Sequence, residues 1–317
     1  MLWQAGVSAQ DFEAFMQYTA CFLGNMGNYL SFGDTKFVPR CPKPTVSNII
    51  GCSSEPGLLA EWEAIASMVY DLSADNKQMG LEGAGISTYY SPNISKEKIQ
   101  VVQDFLATQN LGDQAYNTRL FDRGDVLELA IASAEMKAPA THEFNGTKIE
   151  VTYGDHQPFM KGLADNIEAA IPFVPADRPD QKQMLVEYVR AFRGGNIEDH
   201  KNSQRAWIKD MAPPVETNIG FIESYRDPFG TRGEFEGFVA VVNREQSSKF
   251  QALVDKATDF IKMLPWSPDF GGFQVPGGLR AGYWCVSVMA RDSLPYVARL
   301  GSQGLRVLMF QASGLIM

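Results

Sequence analysis

Apolar positions recur at helical spacing in several stretches of the chain. Across residues 8–23, Phe12, Phe15, Met16, Thr19, Phe22 and Leu23 fall three or four residues apart, with Ser8 and Asp11 as capping candidates at the start. This predicts an amphipathic helix. The pattern returns over 58–72 in Leu59, Trp62, Ile65, Ala66, Val69 and Tyr70, and Ser95 with Lys96-Glu97-Lys98 opens a third helix running to Leu106. Residues 24–44 are rich in glycine, asparagine and proline and predict an ordered loop with short extended pieces. Residues 86–92, ISTYYSP, predict a strand ending in a turn.

From residue 118 the pattern turns towards strands. Residues 125–132 and 147–153 are the better candidates, and Asn145-Gly146 is placed as a hairpin turn. Helical spacing resumes over 154–171 and 182–192, on either side of the proline-rich linker PFVPADRPDQ. It resumes again over 245–264, where Phe250, Leu253, Val254, Ala257, Phe260, Ile261 and Leu264 share one side before Pro265 and Pro268 stop the run. Helices and hairpin-like strands without regular strand–helix alternation predict an α+β fold. Beyond residue 270 the chain is weakly periodic and ends on an apolar run.

Residues 207–243, WIKDMAPPVETNIGFIESYRDPFGTRGEFEGFVAVVN, are the most informative stretch, combining six acidic residues, aromatics and turn-forming glycines. Gly220-Phe221-Ile222-Glu223-Ser224-Tyr225 is extended, Arg226-Asp227-Pro228-Phe229-Gly230 turns, and a second extended run follows from Gly233. Glu234 and Glu236, two residues apart on an extended chain, point to one face while Phe235 points to the other. That is a candidate anionic recognition surface.

Composition narrows the partners. A net charge of -9 over 317 residues argues against nucleic acid and anionic membranes, and no run approaches the roughly 20 apolar residues of a membrane span. The expectation is a cytoplasmic protein. Its four cysteines, Cys21, Cys41, Cys52 and Cys285, have no metal or disulfide spacing and read as reduced thiols. The three histidines, His142, His156 and His200, form no pair at zinc-ligand spacing, and there is neither a nucleophile elbow nor a phosphate-binding loop. Glu223, Glu234 and Glu236 suit acid–base work or the docking of a cation. Their plainer alternative is a solvated face or an ion-pair set with Arg226 and Arg232. Tyr225 suits hydrogen bonding to a developing oxyanion, or simple packing beside a turn.

The same stretch resembles a signature region of the dipeptidyl peptidase III family, zinc exopeptidases that release dipeptides from the N-termini of oligopeptides. GNYLSFGDTKFVP, GISTYYSPN, QDFLATQNL, YNTRLF and NIEDHK are similar to segments of that family in the same order, so the resemblance covers about residues 12–270. It implies two lobes across a cleft, one of them containing a β-barrel. Residues 1–243 would form the barrel lobe and 244–270 the helix that begins the helical lobe, with 271–317 a divergent tail. It also implies that Glu223 binds the peptide's free amino group, that Tyr225 stabilises the transition state, that Glu234 and Glu236 line the cleft, and that Tyr90 contacts substrate. The family's HELLGH zinc motif and its downstream glutamate segment are missing from this sequence. The expectation is therefore a truncated, monomeric form that binds no zinc specifically and is inactive alone, or a peptide- or protein-binding module that uses the barrel-lobe strand.

Overall fold

Residues 6–92, 94–211, 213–256, 259, 260 and 263 are described by the computed structural model. Helix α1 (Ala9–Asn25) begins where expected, with the Ser8 hydroxyl oxygen accepting from the Asp11 N–H at 3.0 Å. A second helix, α2 (Lys43–Gly51), starts inside the expected loop and carries a proline at its N-terminal end, where a missing N–H costs nothing. With α3 (Leu58–Tyr70) it closes a small core of Cys41, Val46, Trp62 and Ala66.

Helix α4 (Lys96–Thr108), capped by Ser95, buries Ile99, Val102, Phe105 and Leu106. That stripe covers a four-stranded sheet of β1 (Thr118–Asp122), β2 (Leu127–Ala132), β3 (Ala140–Phe144) and β4 (Thr147–Asp155), in the order β1-β2-β4-β3. The anticipated hairpin joins β3 to β4. Asn145 and Gly146 both have positive φ, 49° and 73°, as a two-residue turn matched to strand twist requires. β4 then slots in parallel beside β2, with Leu127 opposite Ile149.

Residues 86–92 do not form the expected strand. Ile86 bridges only Met79, and Tyr90 bridges only Leu120 of β1. Pro92, which has no backbone N–H, stands two residues after Tyr90.

A second core is built by α5 (Gln157–Ala170), α6 (Pro179–Gly194) and α7 (Ile197–Trp207) around Met160, Met184, Tyr188, Phe192 and Trp207. α6 starts earlier than its apolar pattern suggested, at a proline inside the expected linker. α7 has no clear apolar period because it buries Ser203, Ala206 and Trp207, and between Ile197 and Ala206 the segment IEDHKNSQRAW is polar. Its start is set by Asn196, whose side-chain oxygen accepts from the Glu198 N–H at 2.9 Å.

Against this second core lies a two-stranded antiparallel ribbon, β5 (Val215–Glu223) and β6 (Glu234–Val241). The ribbon is tied to the 3-10 turn Gly112–Asn117, which leads into β1, where the Gly233 N–H donates to the Tyr116 carbonyl at 2.9 Å. α8 (Arg244–Asp255) follows, described over a shorter span than the expected 245–264. The class is α+β, as expected. None of the described helices is long and apolar enough to cross a membrane, and the expected tail, 271–317, lies outside the described residues.

Candidate functional site

The ribbon's pairing creates the site. Gly220 stands opposite Glu236 and Phe221 opposite Phe235, and the register then shifts so that Glu223 faces Glu234. Unbroken alternation would have set Ile222 opposite Glu234 and turned Glu223 to the far side. A bulge of one residue reverses that. Glu223 therefore joins Glu234 and Glu236 on one face. Phe221 and Phe235 pack edge to face on the other, with ring centroids 5.3 Å apart, against the second core.

Crowding perturbs all three carboxyls. Burial pushes the Glu236 pKa up to about 7, and the charges of Glu223 and Glu234 push the same way. Burial also raises Glu223. Glu234, only 7% exposed, is raised by burial and by Asp34 and Glu223, while Arg226 opposes the rise. These acids are thus not a solvated face. Of the two arginines proposed as ion-pair partners, Arg226 lies 3.7 Å from Glu234 and Arg232 turns away to the far end of the turn.

Residues 224–233, which join the strands, are held by Asp227. Its carboxylate accepts from the backbone N–H groups of Phe229, Thr231 and Arg232 at 2.8–2.9 Å. The Tyr90 hydroxyl donates to the same carboxylate at 2.8 Å and accepts from Arg232 at 3.0 Å, with the guanidinium over its ring. Tyr90 is 4% exposed and Arg232 is fully buried. The structure therefore places Tyr90 beneath the turn.

Tyr225 is 49% exposed and stacks on Phe32, with centroids 6.1 Å apart. Burial and the charges of Glu236, Glu234 and Glu223 push its pKa up to about 12, so its hydroxyl stays protonated at neutral pH and remains a donor. Phe32, from the loop after α1, and Asp34 were not singled out by sequence reasoning. Both belong to a glycine- and asparagine-rich segment whose place in space depends on long-range packing.

The histidines are scattered. His142 packs on Phe105, His156 lies 3.6 Å from an Asp155 already bound by Arg119, and His200 is wedged against Gly220, where burial drives its pKa down to about 4. Among the described residues no group of three His, Cys, Asp or Glu side chains could hold a metal ion. Cys21, Cys41 and Cys52 are free thiols.

Comparison with known proteins places these features in a family. The chain is 46% identical over 266 residues to dipeptidyl peptidase 3 of Dictyostelium discoideum, and 42% identical over 285 residues to dipeptidyl peptidase 3 of Homo sapiens. These matches cover 83% and 84% of this chain and 38% of each relative, so the chain spans well under half the length of either. A solved structure of dipeptidyl peptidase III from Caldithrix abyssi matches with a TM-score of 0.41 at 19% identity, covering 80% of this chain and 42% of that one. The model of peptidase family M49 matches residues 61–277, reaching into the stretch expected to diverge. On that match, over more than half its length, and on those identities, the chain belongs to peptidase family M49.

Proposed function

We propose that the chain up to residue 243 forms the substrate-holding lobe of a peptidase that engages oligopeptides at their free N-terminus and releases dipeptides, with the helix from residue 244 beginning a second lobe. Glu223, with Glu234 and Glu236 beside it, takes the peptide's α-ammonium. Tyr225 offers its protonated hydroxyl to the carbonyl that gains negative charge under attack. The family's peptide substrate and the barrel character of the lobe come to this chain as part of the same reading.

The observation that carries it is the bulge-made acidic face. Three carboxyls raised by burial, two of them also by neighbouring carboxylates, are relieved by a bound cation, and a neutral backbone amide would not do this. An exopeptidase has such a cation in its substrate. Anchoring that end also fixes how many residues separate it from the bond under attack.

Zinc, implied by the family resemblance, does not fit the described residues, since they bring no ligand set together. We infer instead that the 317-residue chain, acting as a cytoplasmic monomer, captures peptides without hydrolysing them. Turnover of a dipeptidyl-naphthylamide that appears on adding zinc would overturn this part.

Calorimetry with tetra-alanine and its N-acetylated form tests the capture itself. The free amine is expected to bind about 10- to 100-fold more tightly, the worth of a charge-assisted contact. Glu223→Gln should erase the difference. Equal affinities in the unaltered chain would refute the reading.

A further inference from the structure

Arg226 is 2% exposed, and neither of its Nη atoms has a hydrogen-bond partner. Its nearest ionic neighbour is Glu234, with Nη1 3.7 Å from Oε1, beyond hydrogen-bond reach. Two partly buried arginines elsewhere in the described chain are held by their acids directly. Arg119 grips Asp155 through two bonds, at 2.8 and 2.5 Å, and Arg178 bonds Asp210 at 3.0 Å. The two buried arginines differ from these pairs: Arg232 donates to the Tyr90 and Thr231 hydroxyls, while Arg226 stands beside a carboxylate of the acidic face without bonding it.

We propose that Arg226 is a positioning residue for the acidic face: a buried guanidinium that stands beside Glu234 without hydrogen-bonding to it, leaving the carboxylate oxygens free for a cationic ligand. A bidentate pair would occupy those oxygens and fix their direction. A counter-ion at 3.7 Å favours the charged form of Glu234 and leaves it free to turn. The proposal rests on reading Glu223, Glu234 and Glu236 as an ammonium site, and it names the group that sets that site's charge.

The surroundings of Glu234 are consistent with this. Burial, Asp34 and Glu223 all disfavour its anion, and Arg226 favours it. On the same face Glu236 has Glu223 and Glu234 for neighbours, opposed only by the Glu223 backbone N–H. Tyr225 and Tyr89, whose pKa values lie high, are neutral here and add no charge. Arg226 thereby favours the Glu234 anion, a cationic support that Glu236 lacks. With Arg226 neutralised, Glu234 follows Glu236 upward and the face binds cations only at higher pH.

The experiment is the pH dependence of tetra-alanine binding to the full chain between pH 5.5 and 8.5. It compares unaltered protein, Arg226→Gln and Arg226→Lys, with N-acetyl-tetra-alanine as control. Arg226→Gln should move the binding midpoint up by about one pH unit, a tenfold loss on the acid side, and Arg226→Lys should move it back. A loss of equal factor at every pH marks a merely structural residue and overturns the proposal. Absence of free-amine preference in the unaltered chain instead fails the ammonium-site reading and is separately visible. Should Arg226→Gln not fold, carbon-13 titration of the glutamate carboxyls in the unaltered chain decides the matter. Glu234 titrating at or above Glu236 overturns the proposal, and Glu234 titrating below it supports the proposal.

Discussion

A carboxyl held near neutrality ties the stability of the fold to pH, and Glu236 does so in a definite direction. Its pKa rises from 4.5 to about 7 on folding, so between those values the folded chain keeps a proton that the unfolded chain releases. Stability therefore falls as pH climbs from about 4.5 to about 7, and the cost persists above that. Glu236→Gln removes the cost. The variant should be more stable than the parent at pH 8 by on the order of 1–3 kcal/mol and indistinguishable near pH 4, as read from thermal unfolding at both values. A gain of the same size at both would mean that charge is not the cause. The same substitution should weaken binding of a free-amine peptide, because a site that keeps uncompensated charge trades stability for recognition.

At the scale of elements, the two strands of the ribbon supply the site and the turn between them sets its shape. Tyr90 reaches that turn from the segment that bridges to β1, and its hydroxyl serves Asp227 and Arg232 at once. Tyr90→Phe leaves a buried aspartate one bond short and a fully buried guanidinium without that acceptor. A loss of about 1–3 kcal/mol in urea unfolding is expected. A change below about 0.5 kcal/mol would show that the turn stands without it. Gly220 illustrates a second constraint, the approach of α7 to β5. A Cβ there would lie 2.4 Å from His200 Cε1, so Gly220→Ala should destabilise by about 1–3 kcal/mol, as overpacking does. The loss should shrink when His200→Ala is made as well, and additive losses would place the strain elsewhere.

For the whole molecule, burial predicts an order of opening. β1, β2 and β4 carry fully buried Leu120, Leu129 and Ile149, whereas α1 buries no residue completely and rests on the small core around Trp62. Amides of α1 should exchange with solvent by local opening, orders of magnitude faster than those of β2. Hydrogen exchange resolved by residue checks this, and equal protection would make the chain a single cooperative unit.

Where period and caps coincide, sequence alone was sufficient. Ser8 and Ser95 start their helices, Asn145-Gly146 closes its hairpin, and the strand pair flanking Asp227 is where alternation put it. Such features depend on neighbours within four or five residues. α2 escaped because its nine residues show barely more than one turn of period, Val46 with Ile50, and α7 because its buried face, Ser203, Ala206 and Trp207, carries only two apolar side chains near one end. The family and the identities of the acidic residues were likewise legible in the order of residues, and so was the common face of Glu234 and Glu236. The arrival of Glu223 on that face was not, because a one-residue bulge depends on how β5 meets β6 and the second core, and every side chain after it changes sides. The partners of the two arginines were equally hidden. Charge complementarity suggested both would pair with the glutamates, but tertiary packing carried Arg232 to Tyr90 and left Arg226 buried beside Glu234 without a hydrogen bond.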